Sequence, residues 1–305
     1  MTWFVVRRLI AMVITLWVIF TLTWLLMRAV PGGPYSRERK LPKATEEAYK
    51  RRYNLDLPRS QQYVEELKRV AVGNLGLPFK LNDFTVNRVI AQGWPISAAL
   101  GILALTFAML LGLTAGIVSA ASRGSPADLV LMTMATFGIA VPSFIIASLA
   151  ILVFVFLIPV FPAGGWGTLR QLVLPAMCLG APYAAEIARI TRTGMLDTLS
   201  QDYIRTARAK GLGETAVVLR HALPGAMLPV VSFLGPATAG ILTGSVVIEK
   251  MFAIPGLGWH LVQAALQRDF TLEMGLVLLY TVLLFTMNFI VDVSYAILDP
   301  RVELK

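Results

Sequence analysis

Long apolar segments alternate with polar segments along the chain. Six of the apolar segments have about the 20 residues that a helix needs to cross the hydrocarbon core of a bilayer. They occupy residues 9–27, 95–118, 129–157, 172–190, 227–247 and 274–297. This pattern predicts an all-α polytopic membrane protein with six transmembrane helices.

The composition agrees with this pattern and excludes an ordinary soluble protein. Hydrophobic residues make up 56% of the 305 residues and charged residues 15%, and the mean hydropathy is +0.69. In so apolar a chain, basic loops facing the cytoplasm explain the formal net charge of +9 more simply than nucleic-acid binding does. We therefore expect no nucleic-acid partner.

Cysteine and histidine are too few for a disulfide framework or a metal site. Cys178 is the single cysteine and lies inside an apolar segment, where a buried small side chain is its usual role. The two histidines, His221 and His260, are far apart in the sequence and belong to no Cys/His cluster. We expect this chain to bind no metal and no cofactor.

The charges near the ends and the number of spans predict the orientation. Arg7 and Arg8 precede the first apolar segment, which is longer than the core of a signal peptide and is interpreted as an uncleaved span. Six spans then place both termini in the cytoplasm. The predicted domains are transmembrane helix 1 (1–30), an external helical insertion (31–93), a transmembrane domain (94–297) and a cytoplasmic tail (298–305).

A polar, basic segment, residues 189–229, separates the fourth and fifth apolar segments. It carries six Lys or Arg and three Asp or Glu residues, and it is far longer than a turn between two helices requires. A helix-like run over 203–210 stops at Gly211, as helices often stop at glycine. We interpret this run as a short surface helix on the cytoplasmic face that a separate motor protein grips. The alternative is a solvated loop that only sets the topology.

The same segment resembles the EAA motif of type I ABC importer permeases. The resemblance lies in the spacing from Gly211 through His221 to Leu223-Pro224. Further matches to the peptide/nickel branch of this family extend over nearly the whole chain. They lie at residues 28–32, 141–144, 188–195, 235–236, 244–249, 255–258 and 299–301.

One departure from the general motif is visible in the surface helix. Arg205 and Thr206 stand where the general motif has Glu and Ala, and only Ala207 agrees with it. This replacement is common in the peptide/nickel branch. The chain is similar to the B-type membrane subunits of oligopeptide permeases, with dipeptides, nickel or another small solute left open as alternative cargo.

The resemblance implies a transport subunit of a heteromeric importer and not an enzyme. A homologous C-type permease subunit would pair with this chain in the lipid bilayer of the bacterial inner membrane. Two cytoplasmic ABC ATPases would bind ATP and Mg, and a peptide-binding protein would deliver the oligopeptide on the external face. The residues that would couple this chain to an ATPase are Arg205, Thr206, Ala207, Lys210, Gly211, Leu212, Leu223 and Pro224.

The residues themselves also indicate that the energy is supplied by a partner. The sequence contains no Gly-Lys pair and therefore no Walker A loop. Polar residues in the middle of spans, such as Thr136 and Asn288, are uncharged, which disfavours a gradient-driven carrier that works alone. The sequence contains no HExxH motif and no Ser/Cys/His arrangement of a catalytic nucleophile, so it does not support an intramembrane enzyme. The self-sufficient carrier stays a remote alternative.

Six residues are candidates for a gate or for the transport pathway. Pro142 within the third span indicates a packed or cavity-lining site, or only a kink. Glu249 is expected to pair with Arg268 or Lys250, or to contact the binding protein. Asp292 is expected to pair with a basic residue of the polar segment, or to act as a gating charge. The six are Pro142, Ser143, Gly244, Ser245, Glu249 and Asp292.

Overall fold

The computed structural model describes residues 2–29, 47, 51–81, 83–242 and 246–298. Regular structure in these residues is helical, as predicted. In chain order the helices are α1 (Thr2–Ala29), α2 (Arg59–Ala71), α3 (Val86–Ala121), α4 (Pro126–Ala140), α5 (Ser143–Ile151), α6 (Leu169–Leu199), α7 (Asp202–Ala209), α8 (Glu214–Ala216), α9 (Leu223–Leu242), α10 (Val246–Met251), α11 (Leu257–Gln267) and α12 (Phe270–Leu298). Two π-helical segments continue α5 and join α8 to α9, namely Leu152–Leu157 and Val217–Ala222.

The described helices agree with the predicted number of spans. Within the described residues, five helical segments are long and apolar enough to cross a membrane, and α4 with α5 would make a sixth. Several helices extend beyond the apolar segments: α1 begins at Thr2, α3 begins at Val86 and α6 continues to Leu199. A helix satisfies its own backbone hydrogen bonds and need not end where the apolar sequence ends.

The third apolar segment is not one straight helix. Helix α4 ends at Ala140, α5 begins at Ser143, and the two are bent by 108°. Pro142 has no N–H to donate, and the residue before a proline is disfavoured in the helical region. Val141 is accordingly extended, with φ −86° and ψ 124°. The proline therefore breaks the helix within the predicted third span, 129–157, rather than only kinking it.

The chain divides into two compact units. The first comprises Met1–Trp94 and His260–Val282, and the second comprises Pro95–Trp259 and Leu283–Lys305. The domain limits expected from the sequence, at residues 30, 93 and 297, stay predictions.

In the first unit, α2 is fixed to α1 by polar side chains. The indole N–H of Trp17 donates to the Tyr63 hydroxyl at 3.0 Å, and the indole N–H of Trp24 donates to Glu66 at 3.0 Å. Arg28 lies 3.4 Å from the same Glu66 carboxylate. Because Glu66 serves both Trp24 and Arg28, it sets how α2 lies along the end of α1.

In the second unit, α6 packs against α3, α4 and α9. A Cβ atom placed on Gly116 of α3 would lie 2.7 Å from the carbonyl oxygen of Ala188 on α6. A Cβ atom placed on Gly194 of α6 would lie 3.0 Å from the carbonyl oxygen of Ala226 on α9. The helix backbones therefore meet directly, as small residues allow in membrane proteins.

A buried carboxylate, Glu249, ties α10 to α3 in the second unit. Glu249 and Ser97 are both fully buried. The Ser97 hydroxyl donates to Glu249 Oε1 at 2.8 Å, and the backbone N–H of Trp259 donates to Oε2 at 3.1 Å. The backbone N–H of Leu257 donates to Ser97 Oγ at 2.8 Å. Together these bonds fold the chain between α10 and α11 around one carboxylate.

The expected pairing of Glu249 with Lys250 is wrong, and its pairing with Arg268 stays a prediction. Glu249 accepts hydrogen bonds from the Ser97 hydroxyl and from the backbone N–H of Trp259. Because the carboxylate turns into the protein, these hydrogen bonds stand in place of the expected ion pair with Lys250. A buried carboxylate needs such donors to offset the loss of water.

Replacing Gly256 by alanine tests the packing around this carboxylate. The added Cβ would lie 2.5 Å from both Glu249 Oε2 and Ser97 Oγ, and overpacking of this kind typically costs about 1–3 kcal/mol. We expect Gly256→Ala to lower the temperature of thermal unfolding in detergent. Gly213→Ala is the control, because a Cβ there meets nothing within 4 Å. Equal unfolding temperatures for the two variants would contradict this account of the packing.

Candidate functional site

The predicted surface helix is present as α7, and two of its side chains anchor it. Ile204 is fully buried and Ala207 is 6% exposed. Both pack into an apolar cluster with Ala120 of α3, Met195 of α6 and Val217 of the π-helical segment. A helix of eight residues is too short to be stable alone in water. Its position therefore depends on this cluster.

Gly211 ends α7 as predicted. Its φ is +79°, in the left-handed region that favours glycine. The N–H of Gly211 donates to the carbonyl oxygen of Arg208 at 2.9 Å, and the N–H of Leu212 donates to that of Ala207 at 3.4 Å. These two bonds form a Schellman motif, which satisfies the last carbonyl groups of the helix and turns the chain away.

The outward face of α7 is polar and basic. The side chain of Arg205 is 74% exposed, Thr206 and Lys210 are exposed as well, and Leu212 beyond the helix end is 41% exposed. Ala207 points the other way, into the apolar cluster. Of the coupling residues predicted in the helix, Arg205, Thr206 and Lys210 can thus meet a partner, whereas Ala207 holds the helix in place.

The chain that follows α7 is tied back to it. The Arg208 guanidinium forms two hydrogen bonds with Glu214, at 3.1 and 2.6 Å, and this pairing raises the pKa of Arg208 above its ordinary value. Leu223 is partly buried against the cluster that anchors α7, and Pro224 beside it is exposed. The segment from α7 to α9 therefore packs back against the apolar cluster that anchors α7.

One polar contact near this helix was not predicted from the sequence. Asp128 in the first turn of α4 accepts two hydrogen bonds from Arg192 of α6, at 2.8 and 2.9 Å. The Ser119 hydroxyl at the end of α3 also donates to Asp128. A signal was available, because Ser125 followed by an acidic residue three positions later is typical of a helix start. Nothing in the sequence spacing indicated that Arg192 of α6 would be the partner of Asp128.

Two of the gate candidates lie at the break in the third span. Pro142 and Ser143 join α4 to α5. Helix α5 packs against α10, which carries the buried Glu249, and Ala147 and Ile248 belong to one apolar cluster. The structure thus brings the elements of three candidates together, but their part in transport stays a prediction.

The remaining gate candidates are less defined. Gly244 and Ser245 lie outside the described residues. Asp292 lies in α12 and is partly buried, and neither of its expected roles is tested. In the part of the chain that the structure describes, no group of three or more His, Cys, Asp and Glu side chains could hold a metal ion.

Removing the buried anchor should loosen α7 without unfolding the protein. Truncating a buried isoleucine to alanine typically costs about 2–5 kcal/mol, here in a helix of eight residues. We expect Ile204→Ala to expose Arg205, Arg208 and Lys210 to rapid cleavage by trypsin in membranes. Thr206→Ala, which changes an exposed side chain, should keep the wild-type cleavage rate. Equal cleavage of both variants would show that Ile204 does not hold the helix.

Comparison with known proteins gives full-length relatives. The chain is 41% identical over 302 residues to the oligopeptide transport system permease protein OppB of Escherichia coli strain K12, covering 98% of this chain and 99% of that protein. It is 41% identical over 301 residues to the dipeptide transport system permease protein DppB of Bacillus subtilis strain 168, covering 99% and 98%.

Solved structures with a similar fold are ABC transporters at 18% sequence identity. An amino acid ABC transporter with histidines matches with a TM-score of 0.55, over 68% of this chain and 92% of that one. The inward-facing MetNI methionine ABC transporter matches with a TM-score of 0.56, over 69% and 96%. The fold is thus that of type I ABC importer permeases, as predicted. The family model for the binding-protein-dependent transport system inner membrane component matches residues 112–304, and the chain therefore belongs to that family.

Proposed function

We propose that this chain is the permease subunit through which an ABC importer moves oligopeptides across the bacterial inner membrane. Two partner ATPases would hydrolyse ATP, and one of them would hold α7 in a groove. The observation that carries the proposal is the form of α7, with Ile204 and Ala207 buried beneath it and a polar face exposed above. A helix anchored in this way can transmit a displacement to α3 and α6, which contribute to the same apolar cluster.

The exposed face of α7 indicates the chemistry of its docking site. Arg205 and Lys210 are exposed cations, and Thr206 and Leu212 lie near them. A groove that receives this face would offer acidic side chains for the cations and a small apolar contact for Leu212. The Schellman turn at Gly211 holds Leu212 just beyond the end of α7.

The relatives support peptide cargo. The Escherichia coli relative is named for oligopeptide transport and the Bacillus subtilis relative for dipeptide transport, and each is 41% identical to this chain. Oligopeptides are the proposed cargo. Dipeptides are the second candidate, because the two relatives are equally similar.

The assembly and its orientation are also part of the proposal. Large apolar side chains on α4 are exposed in the single chain, with Leu129, Met134 and Phe137 at 65–71%. Such side chains need lipid or another membrane helix, and a homologous C-type permease subunit would supply the latter. Both termini and α7 would face the cytoplasm, and a peptide-binding protein would dock on the external face.

Reconstitution tests the function directly. The chain would be purified with its partner permease and ATPases and placed in liposomes with the binding protein outside. We expect uptake of a labelled pentapeptide that requires ATP, and competition by other peptides of that length at lower concentrations than by dipeptides. Stronger competition by dipeptides would favour the second candidate. Uptake without ATP or by this chain alone would refute the proposal.

Replacing Gly211 by valine tests the role of α7. A side chain at Gly211 meets nothing within 4 Å, so the substitution acts through the left-handed φ, at a cost of about 1–2 kcal/mol. We expect Gly211→Val to leave membrane insertion intact and to abolish most ATP-dependent peptide uptake. Gly213→Val is the matched control, because Gly213 also has open space but a φ of −65°. Normal uptake by Gly211→Val would remove the coupling assignment.

A further inference from the structure

The contact between Asp128 and Arg192 is more complete than an ordinary ion pair. Arg192 donates through Nε to Oδ1 at 2.8 Å and through Nη2 to Oδ2 at 2.9 Å. The Ser119 hydroxyl donates to Oδ1, and the backbone N–H of Gly124 donates to Oδ2 at 2.9 Å. Four donors thus converge on one carboxylate whose side chain is 8% exposed.

The four donor atoms belong to three residues on different elements. Ser119 lies in the last turn of α3, Gly124 in the turn between α3 and α4, and Arg192 on α6. Asp128 itself belongs to the first turn of α4. The carboxylate therefore joins three helices and the turn that links two of them.

This contact adjoins the cluster on which α7 rests. Ala120, the residue after Ser119, and Met195, three residues beyond Arg192, both belong to that cluster with Ile204 of α7. A displacement of α7 therefore reaches α3 and α6 at points one turn or less from the ion pair.

From this arrangement we propose that Asp128 and Arg192, here called the clamp, are positioning residues that make α3, α4 and α6 move together when α7 is displaced. The inference rests on the proposed function, in which a partner ATPase moves α7. Without the clamp, α7 would still be held and the ATPases would still cycle. The movement would still reach α6 and the end of α3 through the apolar cluster but would be lost before α4.

Packing alone does not provide this connection. The backbones of α3 and α6 touch at Gly116 and Ala188, but contacts between small residues have no strong direction and allow helices to slide. A guanidinium that donates two parallel bonds to a carboxylate fixes both distance and orientation.

Stability is a weak explanation for the clamp. A buried ion pair can often be replaced by apolar side chains without loss of stability, because removing both charges from water is costly. What such a pair supplies is a defined geometry. In the clamp that geometry joins α6, which supports α7, to α3 and α4.

The test measures coupling in the reconstituted complex with its partner permease, ATPases and binding protein. The variants are Asp128→Asn, Arg192→Gln, Arg192→Lys and the double variant Asp128→Asn with Arg192→Gln. The readouts are the yield of assembled complex and the number of labelled pentapeptides taken up per ATP hydrolysed. A merely structural role would lower the yield and leave this ratio unchanged.

We expect normal assembly and a ratio that falls about tenfold in Asp128→Asn and Arg192→Gln, within the range typical of coupling between sites. Arg192→Lys keeps the charge but loses the second parallel bond, and it should lie between wild type and Arg192→Gln. Because the two residues act as one contact, the double variant should be no worse than the more affected single variant.

Another ion pair on the same helix gives the matched control. Glu186 and Arg189 of α6 pair at 2.5 Å within one helix, and the Arg189 side chain is 63% exposed. Glu186→Gln and Arg189→Gln should keep the wild-type number of peptides per ATP, because this pair joins no second helix.

Two results would overturn the proposal. One is a wild-type ratio in Asp128→Asn and Arg192→Gln. The other is failure of every clamp variant, including Arg192→Lys, to assemble, which would assign the contact to folding alone. Absence of ATP-dependent uptake by the wild-type complex is a separate result, and it would refute the proposed function on which this inference rests.

Discussion

Direct contact between helix backbones is the constraint on which the second unit depends. At Gly112, Gly116, Gly180 and Gly194, a Cβ atom would approach a neighbouring carbonyl oxygen to within 3.0 Å. Lipid chains are as apolar as leucine, so burial of apolar side chains gives membrane helices little reason to associate. Close approach of backbones supplies the attraction instead, and it makes α6 the helix against which α3 and α9 are placed.

Buried carboxylates then set orientations that such packing leaves loose. Glu249 accepts hydrogen bonds from Ser97 and from the backbone of Trp259. Asp128 accepts hydrogen bonds from Arg192 and from Ser119 at the end of α3. Each carboxylate is satisfied by several donors, which offsets the cost of removing a charge from water. These hydrogen bonds fix the relative orientation of helices that pack against each other through small residues.

The surface helix α7 combines a rigid base with an exposed face. Eight residues do not form a stable helix alone, so Ile204 and Ala207 must be buried and the Schellman turn at Gly211 must be formed. The cations Arg205 and Lys210 are exposed and take no part in this packing. This separation of anchoring and contact residues suits a site for a partner protein.

Local sequence determined much of this protein. Apolar length predicted the spans, since a bilayer demands about 20 apolar residues per helix, and Gly211 predicted the end of α7, since a left-handed residue is needed there. The tertiary structure decided what depends on distant partners. The inward turn of Ala207 and Glu249, and the pairing of Asp128 with Arg192, 64 residues away, follow from packing between helices. Spacing along the chain carries no record of which side chains such packing brings within hydrogen-bond distance.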